Sequence, residues 1–219
     1  MLDRIEGELT DYDGEYLYYK VVAPPAYIVE KRQFETVEVT LTDSRSISAK
    51  QRAHAYALFR DCSLHTGHTP EEIKELLKYD FISRTGQDEF SLSNCDMTTA
   101  RLFIDHLVEF CLTYDIPCQD SLLDHAEDIA RYLYLCLVHR KCALCGKRSE
   151  VHHVDAVGMG RNRKEIVHAG MRAMALCRKH HNEAHNTGQL TFNSKYKVFG
   201  IKLDEFLCKK LKLGRTTNA

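Results

Sequence analysis

The sequence predicts an α+β fold: strands come first, helices follow, and a metal-bearing strand–helix segment closes the chain. Three observations predict it. A turn dipeptide near the start sits between aromatic and β-branched runs. Near residue 48 the apolar spacing changes from period two to the helical period. Between Cys142 and His185 lie three of the nine cysteines and six of the twelve histidines, a density that core packing does not explain.

Asp13-Gly14 separates GELTDY from EYLYYKVV, a strong hairpin signal. Tyr12, Tyr16, Tyr18 and Tyr19 in these runs are read as cross-strand packing rather than base stacking. Pro24-Pro25 breaks the second strand, and ETVEVTLT (35–42) alternates apolar and polar residues as a further strand would. From Ser48 onward, Ala53, Tyr56, Ala57 and Phe59 fall on a helical stripe that ends at Gly67. Thr69-Pro70-Glu71-Glu72 opens a second helix, with Thr69 as N-cap and Pro70 at the first helical position. A third is expected over residues 97–114, with Thr98 or Thr99 near its start. A fourth is expected over about residues 121–138.

At 44% hydrophobic and 28% charged residues, 219 residues describe a folded protein of one or two domains and exclude disorder, collagen and coiled coil. The formal net charge of -1 conceals a division. Residues 1–140 hold 14 basic against 25 acidic residues, a balance of -11; residues 141–219 hold 16 against 6, a balance of +10. An acidic domain over 1–138 and a basic domain over 139–219 are expected, the second suited to a polyanion. No run approaches the ~18 apolar residues of a membrane span, and the acidic start lacks a signal peptide's apolar centre. A reducing cytoplasm is therefore expected, with cysteines kept as thiols. Cys62, Cys111, Cys136 and Cys208 lie in apolar, helical-looking runs and read as small buried hydrophobes. Cys95 and Cys118 carry no signal.

Cys142-Ala-Leu-Cys145-Gly146 has the form of a zinc knuckle, two thiolates on a tight turn closed by glycine. Cys177-Arg-Lys-His180 supplies a second pair at the same spacing, completing the three-cysteine, one-histidine set of a closed structural zinc site. Four further histidines stand beside it. His181 and His185 are four apart and share one helix face, about a quarter-turn from Cys177 and His180. With His152 they offer a second metal three protein ligands and open positions for water and substrate. His153 is then left to act as general base. Consecutive strand residues face opposite ways, so both histidines reach one site only at a strand end or bulge.

The series CALC, EVHHVDAVG and LCRKHHNEAH resembles the zinc-stapled branch of the HNH endonucleases, whose fold is the ββα-metal motif, over roughly residues 139–190. The resemblance implies that His152, His181 and His185 bind a catalytic divalent cation (Mg2+, Mn2+ or a transition metal). It also implies that His153 deprotonates the attacking water, and that products carry 5′-phosphate and 3′-hydroxyl ends. His180 stands where the family usually has a second cysteine, and Ala156-Val157-Gly158 replaces a common proline. Arg161, Arg163 and Lys164, in the loop that starts at Gly158, are the expected phosphate contacts.

A second stretch, VEVTLTDSRSISAKQRAHAYALFRD with SLSNCDMTTARLFIDHLVEFCLTYDIP, resembles the NinB (Orf) family of phage recombination mediators over about residues 35–135. That resemblance implies single-stranded DNA, single-strand-binding protein and a homodimer as partners, in the cytoplasm of a bacterial host. Arg45, Lys50, Gln51 and Arg52 are its candidate DNA contacts; solvated charges at a helix start explain them equally well. The reading is a phage-type recombination protein with an HNH endonuclease domain. The alternative is a non-cleaving single-stranded-DNA-binding mediator whose zinc module only binds DNA.

Overall fold

The computed structural model describes residues 7–21, 45–155 and 167–213, in two units that divide after Leu41. In the first unit β1 (Gly7–Tyr12) pairs antiparallel with β2 (Leu17–Val21). Asp13 makes the turn between them: one carboxylate oxygen accepts from the Glu15 and Tyr16 N–H groups, the other from the Tyr18 hydroxyl. These bonds, that of Tyr16 foremost, hold its carboxyl below the usual range. The expected 35–42 strand and the Pro24-Pro25 break lie outside the described residues.

In the second unit α1 (Ala49–Thr66) opens on a reciprocal cap. Ser48 Oγ accepts from the Gln51 N–H, and Gln51 Oε1 accepts from the Ser48 N–H. Thr69 and Glu72 do the same for α2 (Pro70–Thr85), where Pro70 sits at the expected first position. α3 (Met97–Thr113) is capped by Asp96, which accepts from the N–H of Thr99, so the cap precedes the threonines expected near this start. Phe59, Phe81 and Phe103 from these three helices meet in the core, with ring centroids 5.3 and 6.1 Å apart.

The helix expected over 121–138 is two, α4 (Leu122–His125) and α5 (Ile129–His139), parted at an extended Ala126. The cause lies across the core. Asp105 of α3 is 7% exposed and accepts from the N–H groups of Glu127 and Asp128, which hold them apart from one continuous helical ladder. Burial pushes its carboxyl up to about 6. The folded chain thus binds a proton that the unfolded chain releases near 3.8, and stability falls as pH rises between these values. Asp105→Asn keeps an acceptor oxygen without the charge. It is expected to match the wild type at pH 4.5 and exceed it at pH 7.5, by at most ~3 kcal/mol in urea unfolding. A variant that loses ground as pH rises would contradict the assignment.

The core continues through Leu133 and Leu137 of α5 to a three-stranded antiparallel sheet in the order β3 (Glu150–His153), β4 (Arg172–Leu176), β5 (Ile201–Lys202). α6 (Arg178–Thr187) follows β4 directly, then α7 (Gln189–Tyr196) and, after β5, α8 (Glu205–Leu211). The boundary expected at 138–139 lies inside this unit. α5 packs on both β4 and α8, so one apolar core runs from Ile47 to Leu211 although charge changes sign within it. Cys62, Cys111, Cys136 and Cys208 are buried in that core, as their apolar surroundings imply. Among the described residues no helix is long and apolar enough to cross a membrane.

Candidate metal centres and active site

Beyond α5 the chain doubles back between Lys141 and Arg148, which form a β-bridge. Gly146 closes this turn at a φ of 65°, a left-handed conformation that disfavours any side chain, and donates to the Cys142 carbonyl at 2.9 Å. The Ala143 N–H donates to Ala175 O at 2.9 Å and ties the knuckle to β4. Cys177 follows β4 as the N-cap of α6, where the helix dipole favours a thiolate, and His180 stands one turn further on.

Cys142, Cys145, Cys177 and His180 bring their ligand atoms within 4.8 Å of one another. The Cys145 and Cys177 sulfurs are 3.7 Å apart, and His180 Nδ1 lies 3.3 Å from Cys142 Sγ and 3.4 Å from Cys177 Sγ. A tetrahedral zinc with bonds of ~2.3 Å to sulfur and ~2.0 Å to nitrogen sets edges of roughly 3.8 and 3.5 Å. The four residues therefore fit zinc. Burial pushes the Cys142 thiol up to about 12, against the pull of backbone N–H groups of Cys177, Leu144 and Cys145. Zinc would displace that proton.

On the neighbouring face of α6, His181 and His185 meet His152 of β3. Their ligand nitrogens also lie within 4.8 Å of one another, and the His152 ring centroid is 4.8 and 5.0 Å from those of His181 and His185. His152 is 2% exposed. Its Nε2 is 2.8 Å from Gln189 Oε1, whereas its Nδ1 is buried without a hydrogen-bond partner. A buried orphan nitrogen beside two imidazoles is what a bound cation would satisfy. Burial lowers the pKa of His152 and of His181, favouring the neutral form that ligates. Gln189 is itself held by Asn193, whose Oδ1 accepts from Gln189 Nε2 at 2.6 Å. Glu150 Oε2 lies 3.2 Å from both His181 Nδ1 and Arg178 Nη1.

His153 is the last residue of β3. Its ring meets His168, with Nε2 2.9 Å from His168 Nδ1 and ring centroids 4.9 Å apart. The two adjacent histidines thus have different neighbours, as alternate strand residues do. Just past them Asp155 accepts from the backbone, Nε and Nη2 of Arg172. Gly200 lets β5 pass close: a Cβ there would stand 2.7 Å from Val154 Cγ2 and 2.9 Å from Arg172 Cβ.

Arg161, Arg163 and Lys164 lie outside the described residues. Lys50 is exposed in the first turn of α1. Arg45 is exposed, and its carbonyl accepts from the Met97 N–H at 2.7 Å. Arg52 instead donates through Nε and Nη2 to the carbonyls of Leu92 and Ser93, both at 2.9 Å, stapling that turn to α1. Gln51 is buried as a cap. Gln189, Asn193, Glu150 and His168 are the site residues that spacing did not single out. Only Glu150 lay within a quoted motif; Gln189 is 37 residues from its histidine.

A β-hairpin leading straight into a helix, with three histidines gathered between its first strand and that helix, is the ββα-metal frame of HNH nucleases. The chain belongs to the family described as "Putative HNHc nuclease", whose profile matches residues 20–214, across the change of charge. No curated protein and no solved structure matches it.

Proposed function

We propose that the chain is a metal-dependent endonuclease that hydrolyses DNA phosphodiester bonds, with His153 as general base. His152, His181 and His185 hold the catalytic divalent cation. The observation that carries this is the buried, unpartnered Nδ1 of His152 beside His181 and His185 on a ββα frame. When bound, the cation supplies charge neutralisation at the phosphate. The chain's own residues do the rest: His153 takes the proton of the attacking water, while Gln189 and Glu150 orient His152 and His181. The zinc set anchors the first turn of α6. Arg161, Arg163 and Lys164 are assigned to phosphate contacts in a segment of +10 balance. Arg45 and Lys50 are assigned to a second, narrow contact in the acidic part, beside Arg52, whose guanidinium is taken up by the Leu92 and Ser93 carbonyls. The NinB-like stretch supports a role in phage recombination on single-stranded or branched DNA, with single-strand-binding protein as partner and a homodimer as the working form.

The test is cleavage of single-stranded, duplex and branched DNA with Mg2+ or Mn2+, wild type against His153→Ala. Loss of general-base assistance is expected to slow cutting by ~10²–10⁴-fold while DNA binding persists. A folded variant that cuts at the wild-type rate would refute the assignment. Tight binding without cutting of any substrate by the wild type would favour the mediator alternative.

A further inference from the structure

We propose that His168 is a positioning residue for His153: it holds the imidazole with its proton on Nε2, so that Nδ1 presents the lone pair that takes the water's proton. The inference rests on the general-base reading of His153.

His153 Nε2 and His168 Nδ1 are 2.9 Å apart, a distance that requires one shared proton between the two nitrogens. Only one of the two ways of placing that proton serves catalysis. If His168 Nδ1 is the donor, neutral His153 carries its own proton on Nδ1 and has no lone pair there. If His153 Nε2 is the donor, Nδ1 is the basic nitrogen. In the step that follows, the water O–H bond breaks and its proton bonds to His153 Nδ1. The oxygen's electron pair bonds to phosphorus, the bond from phosphorus to the leaving 3′ oxygen breaks, and solvent protonates that oxygen. His168 Nδ1 then accepts from a cationic ring, a stronger bond than before the transfer.

The backbone around His168 suits a fixed partner. His168 is 3% exposed. Its carbonyl accepts from the Met171 N–H at 3.1 Å, and the Gly170 N–H donates to Leu203 O at 2.7 Å, so the turn is pinned before β4 begins. A buried ring on a pinned turn has little freedom to swing away, and it limits the rotation of the His153 ring, which the backbone ladder to Ala173 does not set.

Two measurements decide it. In 15N-edited spectra of the zinc-loaded protein without the second cation, His153 is expected to show a slowly exchanging ring proton on Nε2. That proton is lost in His168→Ala and kept in His168→Asn, whose Oδ1 reaches the place of Nδ1. In cleavage assays His168→Ala is expected to lower kcat ~10–100-fold with KM for DNA unchanged. His168→Asn recovers to within a few-fold and His168→Gln does not, because its oxygen sits one carbon further out. One zinc per chain reports that each variant is folded, and the Asn and Gln pair decides if Ala does not fold. A ring proton on His153 Nδ1, an Nε2 proton that survives in His168→Ala, or equal activity of Asn and Gln would overturn the proposal. If the wild type cuts no DNA, the nuclease reading fails while the ring proton still decides the role of His168.

Discussion

Cys142→Ser is expected to empty the zinc site and lower the stability of the whole second unit. Cys142 is fully buried, and its sulfur stands at tetrahedral-edge distance from His180. A serine hydroxyl is a poor zinc ligand and too short to restore a 2.3 Å sulfur bond. Structural zinc contributes folding energy outright, and removing one ligand leaves two thiols and an imidazole crowded without an ion. The knuckle is tied to β4 through Ala143 and Ala175, and β4 packs on α5, so the damage is not confined to the turn. A loss of ~3–5 kcal/mol corresponds to roughly 10 °C in Tm for a unit of this size. Metal analysis should fall from one zinc per chain to near none, with the melting shift alongside. Unchanged zinc content would remove the site.

His152→Ala is expected to abolish the second metal site while leaving the zinc in place. Its removal takes one of three ligands, and the one whose nitrogen is buried without other use. Titration with Mn2+ should show binding weakened by at least ~100-fold, with cleavage falling to background. Gln189→Ala is the graded companion. It keeps the ligand but frees its ring, and outer partners of this kind are worth ~10–100-fold in metal affinity. A His152→Ala protein that binds Mn2+ like the wild type would show that the three histidines are a packed cluster and not a metal site.

Both ligand groupings were legible as spacings, because a knuckle, a CxxH turn and an HxxxH helix are local geometries. Their partners were not. Gln189 orients His152 from the start of another helix, and His168 meets His153 across 15 residues that no periodicity links. The second helix start was legible because its cap is written locally, at Thr69 with Pro70; Ser48 marked a change of period, and the cap that Gln51 completes there was not read. The break in the fourth helix was not, since its cause is a carboxylate on α3 more than twenty residues away. The charge division near 138 was real, but charge reports surface. The buried side chains of α5, β4 and α8 set the compact unit, and they ignore the change of sign.

α6 has consequences for when the protein can work. A single ten-residue helix bears residues of both clusters, with His180 and His181 as adjacent residues on diverging faces. A rod of about 15 Å does not stretch, so whatever seats its first turn also sets where the later histidines stand. If the first cluster holds zinc, a newly made chain short of it would lose more than stability: its other cluster would be out of register as well. On the proposed function, the supply of one ion would then act as a licence for the use of another.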